Sequence, residues 1–347
     1  MGDANDGGGA ELATPRVSVL MAVYNGEKYL REAIDSILGQ TFKDFEFIIV
    51  EDGSTDRSYD IVSSYGDGRI RVVRNPANLG LIKSLNRGIE HCRGEYVARM
   101  DCDDRSLPER LSKQVAFMDS HPNVGASGTW VTHIDTEGRA TGLTRTPVGA
   151  RMAYDFWRPP PLIHPTAIIR RSRLQRLRYD AEALHAEDYD LWLRFVRECR
   201  LDNLAECLLD YRIHDESVSQ RDISGQLAQA HKIFLKRVGL KVSLEEYVDL
   251  IGHARKMNPA RRVALRRRLA GAIGQSYRHF LREDLEYAKA WLLPRLTMKV
   301  LKLQMRRITQ HLRRDASREV LRESRRDDAR PNAAARPTSP DEPSESR

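Results

Sequence analysis

No run of this sequence approaches the ~18 consecutive apolar residues that a membrane-crossing helix needs, so no transmembrane helix is expected. Cysteine is scarce. Cys92, Cys102, Cys199 and Cys207 form no CxxC pair, which points to reduced thiols in a cytosolic protein. The opening MGDANDGGGAELATP has no apolar core segment and does not read as a signal peptide. It also carries Asp6 where N-myristoylation requires Ser or Thr. Large apolar residues are missing from the closing RDDARPNAAARPTSPDEPSESR, a polar, Pro- and Ser-rich stretch expected to be disordered. No internal repeat is visible.

What is present is a 347-residue chain, 41% hydrophobic, long enough for one large domain or two modest ones around a sizeable core. The formal charge of +8 suggests an anionic partner such as a nucleotide, a nucleic acid or an acidic membrane surface. Most of the basic clusters lie beyond Lys232.

Short apolar, valine-bearing runs at 17–23, 45–50, 70–73 and 96–100 read as buried strands. Between them, Tyr29, Leu30, Ala33, Ile34, Ile37 and Leu38, and then Leu81, Ile82, Leu85 and Ile89, recur at helical spacing. Pro108 suits the first turn of a further helix. Strands alternating with helices imply an α/β fold with a mostly parallel, twisted, Rossmann-like sheet flanked by helices. Ligands of such sheets bind at the carboxyl ends of the strands. Asn25, Asp52 and Asp101–Asp104 each follow a strand directly, so all three clusters are expected on one rim. Further strands are expected at 124–131, 166–170 and 205–213, a helix from HAEDYDLWLRFVREC, and a helical pattern over 226–325, broken near Pro294. Leu265, Leu269, Ile273, Tyr277 and Leu281 form an apolar stripe there at i+4 spacing.

Three readings suit the aspartates of MDCDD. In an extended segment Asp101 and Asp103 face one way and Cys102 the other. Two carboxylates converging at a strand end suit Mg²⁺ or Mn²⁺, which bridge carboxylates to substrate phosphates and offset the acids' mutual repulsion. A phosphoaspartate hydrolase would need DxDx[TV], but the fifth position is Arg105. The third reading is a solvated acidic turn capping the next helix.

The segments VYNGEKYLREAIDSILGQTF, FIIVEDGSTD and NLGLIKSLNRGIEHCRGEYVARMDCDD follow one another in order. Together they resemble the family 2 inverting glycosyltransferases, of glycosyltransferase-A fold, over about Arg16 to Ser219. The resemblance implies a nucleotide-sugar donor, most simply UDP-linked, a divalent Mn²⁺ or Mg²⁺, and inversion at the sugar carbon. Asp52 takes the second acidic place of the family's DDGS motif, a base-recognition site, and Glu51 stands where the family often has Asp. Tyr24 and Asn25 lie on the same rim, where Tyr24 either stacks on the base or packs at the core edge. Asp103 matches the family's metal-binding aspartate and Asp101 the leading acid of DxD, which also places Asp101 beside the donor. Asp104 is a neighbour that either joins them or caps the next turn. Arg99 either reaches a phosphate or lies on the surface.

HAEDYDLW resembles the family's ED motif, which implies Asp188 as general base and Glu187 as its support on the acceptor side. Read without the resemblance, both acids simply offset a helix dipole. YRIHDESVS is similar to a late family element and implies His214 at the metal or diphosphate; the alternative is a histidine paired with Asp215. His164 and Pro165 match an HP pair before the acceptor-side strand, while Tyr154, Phe156 and Trp157 either stack on sugars or pack. A processive synthase would add transmembrane helices and QxxRW, and a nucleotidyltransferase a Gly-rich loop after the first strand; none is present. The expectation is a non-processive hexosyltransferase acting on a glycan or glycolipid. The competing reading is an inactive protein of this fold that docks through its basic helices.

The expected organisation is a lead-in at 1–14, a nucleotide-sugar-binding catalytic domain at 15–220, a basic helical extension at 221–325 and a disordered tail at 326–347. The extension either packs its stripe on the catalytic domain or lies on an anionic inner leaflet, giving a cytoplasmic protein with weak peripheral membrane attraction. No recognition motif supports a nucleic-acid partner.

Overall fold

The computed structural model describes residues 14–214, 223–253, 264, 265, 267–269, 271 and 272. Its first strands are apolar without alternation because both of their faces are covered. In β1 (Val17–Val23) and β2 (Phe45–Glu51), residues of one parity, among them Val19, Met21, Phe47 and Ile49, enter one apolar layer. Leu20, Ile48 and Val50 enter the other. That division follows from the two-residue period of a strand. Helices α1 (Leu30–Leu38), α2 (Ser58–Ser63) and α4 (Arg110–Ser120) bury Ile34, Ile37, Ile61, Leu111 and Met118 against the first layer. Helix α3 (Leu81–His91) buries Ile82, Leu85 and Ile89 against the second. Gly88 on α3 meets β1 so closely that a Cβ would stand 2.3 Å from Leu20 Cδ1.

The sheet has nine strands in the order β3-β2-β1-β4-β8-β6-β9-β5, with β7 paired to β6. The remaining strands are β3 (Ile70–Arg74), β4 (Tyr96–Met100), β5 (Arg105–Ser106), β6 (Val124–Ile134), β7 (Ala140–Thr144), β8 (Ile168–Arg170) and β9 (Arg200–Arg212). From β3 to β4 all pairs are parallel. Beyond β4 the sheet is mixed: β8 runs antiparallel to β4 and β6, β9 runs parallel to β6, and β5 antiparallel to β9. Several short elements, among them α2, β5 and β7, had no counterpart in the sequence pattern. The two residues of β5 are too few to show a period.

Register places the rim. Val23 pairs with Glu51 and Met21 with Met100. The chain therefore leaves β1 at Tyr24–Asn25, β2 at Asp52 and β4 at Asp101 on one edge, as the alternation of strands and helices implies.

On the far side, α5 (Ala150–Asp155), a 3₁₀ turn at His164–Thr166, α6 (Arg171–Leu177) and α7 (Glu187–Phe195) complete this body. Residues 164–166 thus turn rather than extend, because Pro165 sits in that turn. Helix α8 (Ile223–Val238) puts Ala230, Ile233, Phe234 and Val238 into the cluster that holds Trp157, Tyr189 and Trp192. Helix α9 (Leu244–Val248) begins with a Ser243–Glu246 capping box and buries Tyr247. Leu265 and Leu269 are buried in the same cluster. The rest of that stripe, Pro294, the tail and most of the lead-in lie outside the described residues. Among the described residues no helix is long and apolar enough to cross a membrane.

Candidate active site

Two turns at the rim lock one another. Asn25 adopts φ 52°, and its Oδ1 accepts from Thr55 N at 2.9 Å. Glu27 N donates to Asp56 Oδ2 at 3.0 Å, and Arg57 N donates back to Glu27 Oε2 at 2.9 Å. The YNGE and DGSTDR segments are therefore two halves of one hydrogen-bonded surface. Asn25 works there as a brace between β1 and β2, and Tyr24 beside it is 45% exposed.

Asp52 is buried, and its carboxylate gathers the next loop. It accepts from Asn75 Nδ2 at 2.6 Å, Leu79 N at 2.9 Å and Gly80 N at 3.0 Å. Asn75 also donates to Ser84 Oγ at 2.8 Å and accepts from Arg87. Gly53, at φ 70°, lets this loop close, since a Cβ would lie 2.5 Å from the carbonyl carbon of Ala77. Glu51 is fully buried. Its Oε1 accepts from Ser54 N at 2.6 Å, and its Oε2 lies 3.4 Å from Arg74 Nε.

The acids after β4 separate into distinct environments. Candidate ligand atoms of Asp101, Asp103 and Asp104 lie within 4.8 Å of one another. Arg99, itself buried, is ion-paired with Asp101, so it is neither a surface residue nor free. Burial raises the Asp101 carboxyl above its usual value against the pull of Arg99. Asp104 is raised further, by burial and then by Asp103 and Asp101. Asp104 does not cap α4. Its Oδ1 accepts from Arg212 N at 2.8 Å, while its buried Oδ2 has no hydrogen-bond partner among the described residues. Cys102 packs toward Gly26, where a Cβ would lie 3.0 Å from its Sγ.

Strand β9 delivers the last part of this cluster. His214 Nε2 lies 3.0 Å from Asp103 Oδ2, while Asp215, its alternative partner, lies outside the described residues. Arg212 donates to Asp103 O at 2.8 Å and Asp135 O at 2.9 Å, pairs with Glu32, and stands 4.3 Å over the Tyr29 ring. The YRIH segment therefore closes over the MDCDD turn. The donor set suits a hard divalent cation. Three crowded carboxylates, two of them held toward the protonated form, an orphaned buried oxygen on Asp104 and an adjacent imidazole would all be relieved by a positive charge.

A second acidic group stands within reach of Arg99. Glu187 and Asp188 open α7, and Arg99 and Asp101 are near enough to act on both electrostatically. Burial, followed by the Asp188 charge, pushes Glu187 up to about 7. Burial also raises Asp188, whose Oδ1 accepts from Tyr189 N at 2.6 Å. His164 is buried and hydrogen-bonded through Nε2 to Tyr179 OH at 2.7 Å, and burial beside Arg99 keeps its ring neutral. Phe156 and Trp157 are buried in the core, and His185 is exposed at φ 67°.

A family model for glycosyl transferase family 2 matches residues 18–178. EpsE of Bacillus subtilis, which carries a provisional glycosyltransferase name, is 36% identical over 243 residues, covering 67% of this chain and 86% of EpsE. This chain belongs to glycosyl transferase family 2. The O-antigen biosynthesis glycosyltransferase WbnJ of Escherichia coli is 33% identical over 232 residues, 64% of this chain and 89% of WbnJ. The structure of S. aureus TarS 1-349 with UDP-GlcNAc superposes with a TM-score of 0.53 at 20% identity, covering 79% of this glycosyltransferase and 87% of that 1-349 chain. At that identity the likeness shows the shared glycosyltransferase-A fold.

Sequence reasoning missed Arg212, Tyr179 and the pairing of Arg99 with Asp101. The Arg inside YRIH was the one available signal. Tyr179 lies in a stretch without a recognisable period.

Proposed function

We propose that this glycosyltransferase moves a sugar from a UDP-linked donor to a glycan or lipid-linked glycan acceptor. In this reading the sugar carbon is inverted, one sugar is added per encounter, and Mn²⁺ or Mg²⁺ is required. The observation that carries the reading is one buried cation, Arg99, within electrostatic reach of two acidic groups: Asp101 and Asp104 of the turn that also holds Asp103 and His214, and Glu187 and Asp188 of α7. The UDP–GlcNAc complex of TarS and the O-antigen role in the name of WbnJ support the donor and acceptor classes.

Asp103, Asp101 and His214 would hold the cation, with Asp104 beside them. The cation supplies positive charge for the diphosphate that leaves. Tyr24, Asn25, Glu51 and Asp52 shape the nucleotide side, where Asp52 acts both as a candidate acceptor for a base N–H and as the anchor of the 75–80 loop. Asp188 takes the proton of the acceptor hydroxyl as its oxygen attacks the anomeric carbon opposite the departing diphosphate. Glu187 shares that acidic environment and orients the acceptor.

Calorimetry with UDP, with and without Mn²⁺, tests the donor and metal together: the cation should tighten UDP binding, and equal affinity in both titrations would sink the reading. Asp188→Asn should keep UDP binding and lose transfer by roughly 10²–10⁴-fold. Normal transfer by that variant would remove Asp188 as the base. A lipid-linked acceptor would also place this cytoplasmic enzyme at the inner membrane face. Flotation with anionic liposomes should then show binding at low salt that fades at high salt.

A further inference from the structure

Helix α8, like α7, lies beyond the matched family region, and it is ion-paired to the segment that carries Glu187 and Asp188. Arg237, near its end, donates through Nε to Asp190 Oδ1 at 2.7 Å and through Nη2 to Asp180 Oδ2 at 2.8 Å. Asp190 is 1% exposed. Its other oxygen accepts from Arg194 Nε at 2.7 Å, and Arg194 in turn caps the carbonyls of Leu177 and Arg178. A second tie runs parallel to the first. Gln229 donates to Glu182 O at 2.6 Å, and Lys236 lies 2.9 Å from Glu182 Oε2. The arginine and lysine of α8 thus grip both ends of the loop that enters α7.

That loop needs a grip. Its bounding residues Arg178 and His185 both have positive φ, at 47° and 67°, which L side chains adopt at a cost. Such backbone persists only where the surroundings over-determine it. His185 stands two positions before Glu187, so the path through it sets where α7 begins and how its first turn is aimed. Asp190 lies on the same helix, one turn or less from Glu187 and Asp188, so fixing Asp190 fixes their rotation about the α7 axis. Burial adds weight, because a buried carboxylate left without one of its two partners is costly.

We propose that Arg237 is a positioning residue for the Glu187–Asp188 pair: by bridging Asp190 and Asp180 from α8, it holds the loop into α7 and thereby the aim of both carboxylates. The inference rests on the reading of Glu187 and Asp188 as acceptor-side acids. It makes α8 part of the catalytic apparatus.

The test uses the full chain and three variants, Arg237→Met, Arg237→Lys and Asp180→Asn, with UDP and Mn²⁺ as the binding probe and UDP-GlcNAc turnover as the activity. Asp180→Asn breaks only the partly exposed arm and guards against a fold failure in Arg237→Met. Arg237→Met should lower kcat by at least about tenfold, since small misplacements of reacting groups are costly, with UDP affinity changed by less than about twofold. Arg237→Lys should recover part of the loss, because one of the two pairs can re-form. Amide hydrogen exchange should speed up over residues 178–192 in Arg237→Met and Asp180→Asn, and stay at wild-type rates in β1–β4. Wild-type kcat with unchanged exchange in Arg237→Met would overturn the proposal. So would exchange that rises equally in β1–β4 in both variants, since the clamp would then be a general fold contact. Normal turnover by Asp188→Asn, by contrast, would overturn the base assignment itself. The exchange of 178–192 would still report on the clamp in that case, so the two failures are told apart.

Discussion

The β1–β4 rim and the start of α7 are both acidic, but their acids meet different surroundings. On the rim, Asp52 accepts from Asn75 Nδ2 and two backbone N–H groups and so holds a loop. On α7, Glu187 is raised to about 7 by burial and by Asp188. The acids of MDCDD differ among themselves. Asp103 is partnered by His214, and Asp104 retains a buried oxygen without a hydrogen bond.

Asp103→Asn breaks this contrast most severely. It removes a proposed cation ligand while keeping the side-chain shape. Transfer should fall by more than the roughly 10–100-fold that losing an outer partner of a metal site costs. UDP binding should lose its Mn²⁺ dependence in calorimetry, and retained dependence would move the cation elsewhere. Gly53→Ala comes next and concerns the rim alone. With φ at 70° and a Cβ 2.5 Å from the Ala77 carbonyl carbon, it should destabilise the protein by at least about 2 kcal/mol in urea unfolding. An unchanged midpoint would mean that the 75–80 loop is not clamped by Asp52.

Glu187→Gln has the smallest effect and sharpens the α7 side. The folded-state value of about 7 lies above the ordinary 4.5. The stability contributed by this group is therefore complete below about pH 4.5 and lost as pH rises through about 7. Replacing it with Gln should leave the metal-free protein little changed at pH 5 and stabilise it by roughly 1–3 kcal/mol at pH 8. Thermal unfolding at the two pH values measures this, and a larger gain at pH 5 would reverse the assignment of sign.

How far these features could be read from the chain differs between the same two regions. Strands β1 and β4 begin and end where the apolar runs 17–23 and 96–100 do, because a strand buried on both faces needs a continuous apolar run bounded by polar turns. The ED motif was legible, as was the helix behind it. The partners were less so. Arg237 lies 47 residues from Asp190, and Arg212 lies 109 from Asp103. No local period marks such pairs. His214 was expected to pair with the neighbouring Asp215 or to bind the cation, and it reached Asp103 because β9 runs back beside β6 and pairs with β5.

The sequence by itself determined the α/β alternation, the edge on which Asn25, Asp52 and the aspartates after β4 emerge, and the family motifs. All of these depend on short-range spacing, on strand and helix periods and on where an apolar run stops. Only the tertiary structure decided which acids are neutralised and by what. It gave Arg99 to Asp101, Arg212 to the MDCDD turn, the backbone of the 75–80 loop to Asp52, and Arg237 to Asp190. Burial and charge pairing depend on neighbours brought together across the sheet and from α8, and that proximity exists only once the chain has folded.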